Sequence, residues 1–343
     1  MRLAYIATLI WTLFGFSAQA FEIEDQVNYP AQFNDSVLKV ISTADREAFE
    51  PIILAFQNQN PGIRVEYTIT GTSDLMQAIH TEGAVFDLAI SSAMDLQTKL
   101  ANDGFAQTYA SANTGGLPAW AGWRHQLFAF TQEPAVLVVS DAYFPQDTAP
   151  RNRDELIALL RENPDKFQGR VGTYDVRSSG FGYLMATQDS RNSEAFWRLM
   201  EVMGRLDAKL YCCSGEMIRD VANGKLALAY NVLGSYAASQ QELIDGFSII
   251  ELEDYVNVML RTALVPVTAE NTNDAEKFID FLMDLSSRPE LVSASGLPAI
   301  DISKFQNNTA LRPIRFGPGL LVFLDQLRRR KFLLNWQSSL VQE

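Results

Sequence analysis

Arg177-Ser178-Ser179-Gly180 is the run of this sequence best equipped for chemistry: one cation, two hydroxyls and a glycine that lets backbone come close to a ligand. It lies within Gly172–Leu184, where Phe167–Tyr174 reads as a loop entering a short strand and the residues from Gly182 read as a helix start. A strand that feeds a helix through such a loop presents unpaired N–H groups and a positive dipole end, which suits an anion. The same serines would also serve simply as helix caps. Further hydroxyls stand in comparable places: Thr43 after the first strand, Thr72 and Ser73 after the second, Ser91 and Ser92 after the third. A second polar loop, Asn231–Tyr236, mirrors Arg177–Gly182 and offers Asn231 and Ser235.

Covalent catalysis finds little to work with. Ser178-Ser179-Gly180 is not a G-x-S-x-G elbow, and no P-loop, dinucleotide fingerprint or H-E-x-x-H occurs. Glu251 and Glu253 alternate with apolar residues, as on the wet face of a strand. Cys212 and Cys213 are adjacent and, with only His80 and His125, form no zinc pattern. They read either as a vicinal disulfide or as two buried thiols. The chain is therefore read as a non-enzyme with no cofactor and no metal.

The elements that position these residues follow from periodicity. Val37–Ile41 reads as a strand, then Phe49, Ile52, Ile53 and Phe56 recur at helical spacing. Ile63–Ile69 alternates as a strand, a helix follows Gly71–Asp74, and Phe86–Ile90 is a short buried-type strand before another helix. Strand–helix three times over predicts a parallel sheet with helices on its faces, which binds ligands at the carboxyl ends of its strands. Strands are expected again at Ala135–Val139, Lys225–Tyr230, Ile249–Leu252 and Val256–Val265, and helices from Asp154, near Ser193–Gly204, over Met217–Ala222 and over Asn273–Leu285. Arg328-Arg329-Arg330-Lys331, after an apolar stripe, reads as a solvated helix end near a C-terminus.

Arg2, the apolar run Leu3–Phe16 and Ser17-Ala18-Gln19-Ala20 form an export signal cleaved after Ala20. Without residues 1–20 the chain keeps 27 basic and 41 acidic residues, a net charge of −14. That excludes nucleic acid and anionic membrane surfaces as broad partners but leaves room for a locally positive site. The 323 remaining residues suit two domains.

Four stretches together resemble the periplasmic solute-binding proteins of ABC transporters: VLKVISTADREAFEPIILAFQNQNPGIRVEY, FDLAISSAMDLQTKLANDG, LFAFTQEPAVLVVSD and DAEKFIDFLMDLSSRPELVSASGLP. Within that family the sequence is similar to the cluster holding ferric-iron, thiamine and phosphorylated-sugar binders. The resemblance implies a two-lobed α/β fold of periplasmic-binding-protein type 2, each lobe a mostly parallel sheet flanked by helices, with the ligand cleft between lobes. It implies two crossings between lobes, at LFAFTQEPAV and at LEDYVNVMLRTALVP. Residues 1–20 are then the signal peptide, 21–36 a polar leader, 37–131 with 255–343 lobe one, and 132–254 lobe two. Thr43, Thr72, Ser73, Ser91 and Ser92 would face the ligand from lobe one, and Arg177, Ser178, Ser179, Gly180, Asn231 and Ser235 from lobe two. Thr131, Glu133, Asp254 and Tyr255 would sit at the crossings.

Iron binders of the cluster carry adjacent tyrosines after a Gly-acid-apolar strand. Here GKLALAYNV is followed by Gly234-Ser235, and Tyr230 and Tyr236 form no pair. Fe(III) wants anionic oxygens, so a phosphate- or carboxylate-bearing organic solute is the expectation, with ferric iron as the alternative. The expected role is a periplasmic monomer that closes on the solute by hinge motion and delivers it to an ABC permease. A sensor lobe reporting to a membrane histidine kinase is the other role considered.

Overall fold

A computed structural model describes residues 21–33, 36–145 and 148–342, so the expected signal segment, residues 1–20, lies outside the described residues. Two seven-stranded sheets organise the chain. The first runs, in spatial order, Asp25–Tyr29, Ile63–Ile69, Ser36–Ser42, Leu88–Ser91, Thr262–Leu264, Leu127–Ala129, Gly122–Trp123. The second runs Leu311–Pro313, Val256–Met259, Glu133–Ser140, Leu228–Leu233, Val171–Tyr174, Lys209–Tyr211, with Phe247–Ile250 also paired to Glu133–Ser140.

Parallel pairing occurs in the strand–helix units and between Val256–Met259 and Leu311–Pro313. Ser36–Ser42 lies parallel to both Ile63–Ile69 and Leu88–Ser91, and Val171–Tyr174 lies parallel to Leu228–Leu233 and Lys209–Tyr211. Glu133–Ser140 and Thr262–Leu264, the strands that follow the first two crossings, run antiparallel to their neighbours. Each sheet is therefore mixed, because a crossing strand enters from the opposite end.

Helix Arg46–Gln59 forms where the spacing places it, and its buried stripe is Phe49, Ile52, Ile53 and Phe56. Phe49 stacks on Tyr67 with centroids 5.3 Å apart, and Phe56 meets Phe278 of helix Thr272–Met283 at 4.5 Å. One core thus joins residues from 29 to 297. The second lobe closes around Leu199, Phe196, Tyr230 and Leu160, and around Phe332, Trp336 and Leu340 from the last helix, Gln326–Leu340.

Four features differ from the sequence expectations. Residues 25–29 of the presumed leader are an edge strand, antiparallel to Ile63–Ile69, since Val27 and Tyr29 pack on the first core. Val256–Met259 belongs to the second sheet, so the second crossing falls at Leu260-Arg261 rather than at 255. The chain crosses a third time near Pro298–Asp301, where Gln132 N donates to Pro298 O and Asp301 N to Gln132 Oε1. Residues 311–340 then complete the second lobe rather than the first, because its core lacks the large apolar groups that Phe332 and Trp336 supply. Finally, Arg328–Lys331 lies in the opening turns of helix Gln326–Leu340, the dipole end that disfavours cations, and not near its C-terminus.

Candidate functional site

Two of the three crossings between the lobes lie side by side: Phe130 N donates to Arg261 O at 3.1 Å, and Arg261 N to Thr131 Oγ1 at 3.2 Å. A buried ion pair fixes this junction. Arg261 Nε and Nη2 donate to the two Glu133 oxygens at 2.9 and 3.1 Å. Thr131 Oγ1 donates to Glu133 at 2.7 Å, and the Ser235 hydroxyl donates to it as well. The Glu133 carboxylate is thereby surrounded by donors. Its partner is not: Nη1 of Arg261, wholly buried, has no hydrogen-bond partner among the described residues.

Arg261 borders a cleft of about 410 Å³ between the lobes. From lobe one come Thr43, Asp45, Thr70, Gly71, Thr72, Asp74 and Ser92, with Glu22 and Glu24 from the segment ahead of the edge strand. Lobe two supplies Tyr174, Ser178, Ser179, Phe181, Cys212–Gly215, Leu233 and Tyr236. Hydrogen bonds cross the cleft at three places. Gly180 N donates to Thr72 Oγ1 at 2.9 Å, Ser73 Oγ to Ser178 O at 3.3 Å, and Asp45 N to the Tyr236 hydroxyl at 3.2 Å. Gly180 is needed for this approach, since a Cβ there would come within 2.6 Å of Thr72 Oγ1.

Of the residues singled out in the sequence, Thr43, Thr72, Ser92, Ser178 and Ser179 line the cleft. Ser179 has a second task, because its Oγ accepts from Gly182 N and caps helix Gly180–Asn192. Ser73 and Gly180 border a smaller gap beside it with Arg177. Arg177 does not reach the cleft: its Nε and Nη2 hold Asp175 at 2.8 and 2.6 Å, an arrangement set by the tight turn that also brings Arg177 N onto Asp175. Ser91 accepts from Ala93 N inside lobe one. Thr131, Glu133 and Ser235 belong to the junction rather than to the cleft wall. Asn231 and Tyr255 are drawn into the interior of lobe two, and Asp254 stands exposed beside them. There Asn231 donates to Asp189 at 2.7 Å, Asp254 accepts from Arg153 at 2.9 Å, and the Tyr255 ring lies 3.5 Å from the Arg153 guanidinium.

Sequence reasoning passed over Arg261, Glu22, Glu24, Asp45, Asp74 and Tyr174. Arg261 had a readable signal: a lone charge within the apolar run Val256–Val265 must be buried and paired. Cys212 and Cys213 are bonded to each other, at the cleft wall just ahead of helix Ser214–Ala222.

The charges in the cleft are uneven. Burial, and then the neighbouring charges of Asp45, Asp74 and Glu22, raise the pKa of Glu24. Desolvation raises that of Asp45, with Arg261 pulling the other way. Among the described residues, no three His, Cys, Asp or Glu are grouped so as to hold a metal ion. Tyr230, one of the two tyrosines considered for iron, is buried in lobe two against Asp189 and Arg153. A second recess, about 420 Å³, shares no lining residue with the cleft and has a more aliphatic wall including Val136, Ile249, Val292 and Leu311.

The comparisons agree with this architecture. The profile of the bacterial extracellular solute-binding protein family matches residues 38–291. The chain is similar to a substrate-binding protein of an ABC transporter from Agrobacterium tumefaciens, with 33% identity and a TM-score of 0.87, over 92% of this chain and 98% of that one. It shares the fold of AfuA from Actinobacillus pleuropneumoniae, solved with fructose-6-phosphate, at 15% identity and a TM-score of 0.70, over 90% and 100% of the two chains. It likewise shares the fold of iron-bound HitA from Pseudomonas aeruginosa, at 17% identity and a TM-score of 0.67, over 89% and 99%. Curated proteins give no significant match. No described helix is long and apolar enough to cross a membrane. With two lobes around a polar cleft and this match over most of its length, the chain belongs to the bacterial extracellular solute-binding proteins and is a periplasmic solute-binding protein of the ABC-transporter type.

Proposed function

We propose that the chain captures a small organic solute bearing a phosphate or carboxylate group, closes its lobes over it by hinge motion, and passes it unchanged to an ABC permease. The observation that carries the anionic preference is Nη1 of Arg261, a buried donor without a partner at the edge of the cleft. A buried donor left unmade costs about 1–3 kcal/mol, so a ligand oxygen that reaches it gains correspondingly. Four helices of eight residues or more, Arg46–Gln59, Met94–Asn102, Gly180–Asn192 and Ser214–Ala222, begin at or beside cleft residues and add positive dipole ends. The three cross-lobe hydrogen bonds and the adjacent crossings support closure about residues 130–132, 260–261 and 298–301.

Export with cleavage after Ala20 is part of this reading. Phe21 N lies 2.8 Å from Glu82 Oε1, so cleavage there would turn an amide contact into an ammonium–carboxylate pair.

Titration calorimetry of the purified chain with phosphate-, phosphonate- and carboxylate-bearing solutes tests the reading, alongside native mass spectrometry of whatever co-purifies. One-to-one binding of such a solute, recovered intact and weakened about tenfold or more in Arg261→Lys, is expected. Unchanged affinity in that variant would remove Arg261 from the site. Turnover of the solute would make the chain an enzyme.

A further inference from the structure

Arg261 shares the cleft with four carboxylates, Glu22, Glu24, Asp45 and Asp74. None of the four has an ion-pair partner among the described residues. They come from three separate pieces of chain: the segment ahead of the edge strand, the start of helix Arg46–Gln59, and helix Thr72–Met76. Their convergence is close. Asp74 Oδ2 and Glu24 Oε1 lie 2.8 and 3.6 Å from the point where a side chain on Gly71 would begin. Asp45 is in electrostatic reach of both Glu24 and Arg261.

These groups make two poles. The guanidinium is balanced by Glu133 on one side and offers a buried, unpartnered N–H on the other, which points to an anionic or strongly accepting ligand atom. The carboxylates are balanced less: Arg261 and Arg219 act on Asp45 from a distance and Asp74 accepts from Glu22 N at 3.1 Å, but none of the four is ion-paired among the described residues. A solute carrying only negative charge would meet their repulsion on its way to Arg261, and a solute carrying only positive charge would leave the Arg261 donor buried and unmade. Mutual repulsion of the acids is relieved by proton uptake or by a cation placed among them.

We propose that the solute is amphoteric: its phosphate, phosphonate or carboxylate is directed to Arg261, and a protonated amine is held by Glu24, Asp45 and Asp74. The anionic half rests on the reading given under Proposed function. Because Asp45 stands near both poles, amine and acid are separated by only a few bonds, as in short aminoalkylphosphonates, phosphorylated amino alcohols and amino acids.

Calorimetry with four matched probes tests this: 2-aminoethylphosphonate, phosphoethanolamine, ethylphosphonate and ethanolamine. The amine-bearing acids are expected to bind about tenfold or more tightly than ethylphosphonate. The paired substitution Glu24→Gln with Asp74→Asn should erase that preference while leaving ethylphosphonate binding equal or stronger. Glu22→Gln alone serves as a milder second variant, and thermal melts report whether each variant is folded. Equal affinity for ethylphosphonate and 2-aminoethylphosphonate, or a preference that survives the paired substitution, overturns the amphoteric assignment and leaves the Arg261 reading standing. Tight binding of ethanolamine with no gain from the acid overturns both. Failure of all four probes overturns the amphoteric assignment, and fructose 6-phosphate then tests the anionic reading by itself.

Discussion

Arg153, inside the second lobe, and Arg261, at the junction of the lobes, are both buried, at 2% and 0% exposure. Arg153 donates to the Tyr230 hydroxyl at 2.6 Å, to Asp254 at 2.9 Å, to Tyr255 O at 2.8 Å and to Asp189 at 3.4 Å. Asp189 in turn receives Tyr230, Asn231 and Asn257. The cation is closed in: each nitrogen of the guanidinium has a protein partner. Arg261 has two nitrogens on Glu133 and one on nothing. A satisfied buried cation holds a fold together, whereas one satisfied on a single side marks where something else is meant to bind.

The sharpest test of that contrast is Arg153→Met. Removing one member of a closed buried pair strands Asp189, and a loss of about 3–5 kcal/mol is expected. Urea unfolding would read it, and any fall in solute affinity should track the unfolded fraction. Arg261→Lys should behave in the opposite sense, with affinity falling far more than the unfolding midpoint; a large midpoint loss with affinity kept in the folded fraction would assign Arg261 a purely structural role.

Gly180→Ala comes next. The added methyl meets Thr72 and Leu96 across the cleft, so closure should become incomplete. A smaller decrease in radius of gyration on binding, measured by X-ray scattering, and weaker binding at nearly unchanged Tm are the expected outcomes.

Asp95 is the mildest case. It is buried between the lobes near Arg329, and burial raises its pKa to about 7. The folded chain then holds this proton more tightly than the unfolded chain. Its contribution is present below pH 4, declines as pH rises from there, and is gone above about pH 7. Asp95→Asn should accordingly raise Tm by several degrees at pH 8 and change it little at pH 4; equal shifts at both pH values would refute the assignment.

Much of the frame was legible because periodicity encodes it. Phe49, Ile52, Ile53 and Phe56 announce a helix, and the three strand–helix units follow from similar local patterns. Hydroxyls at the ends of those units were also readable, and three of them, Thr43, Thr72 and Ser92, reach the cleft, as do Ser178 and Ser179 of the second lobe. What was not legible depends on which side chains meet, near or far in sequence. Arg177 looked like a ligand group, but a carboxylate two residues away captures it. Asn231 also looked like a ligand group, yet Asp189 draws it inward, with its backbone in the left-handed region at φ 64°. Glu22 and Glu24 gave no local signal, since only the antiparallel pairing of Asp25–Tyr29 carries them to the cleft.

The third crossing bears on the order in which the lobes can be completed. The first core is whole once residue 297 is available. The second lobe begins its first strand at Glu133, yet Phe332, Trp336 and Leu340 are among the side chains that fill its core. For a chain threaded N-terminus first through a membrane, the second lobe must wait until the final helix has emerged, and a chain cut short by some twenty residues loses a lobe rather than a tail.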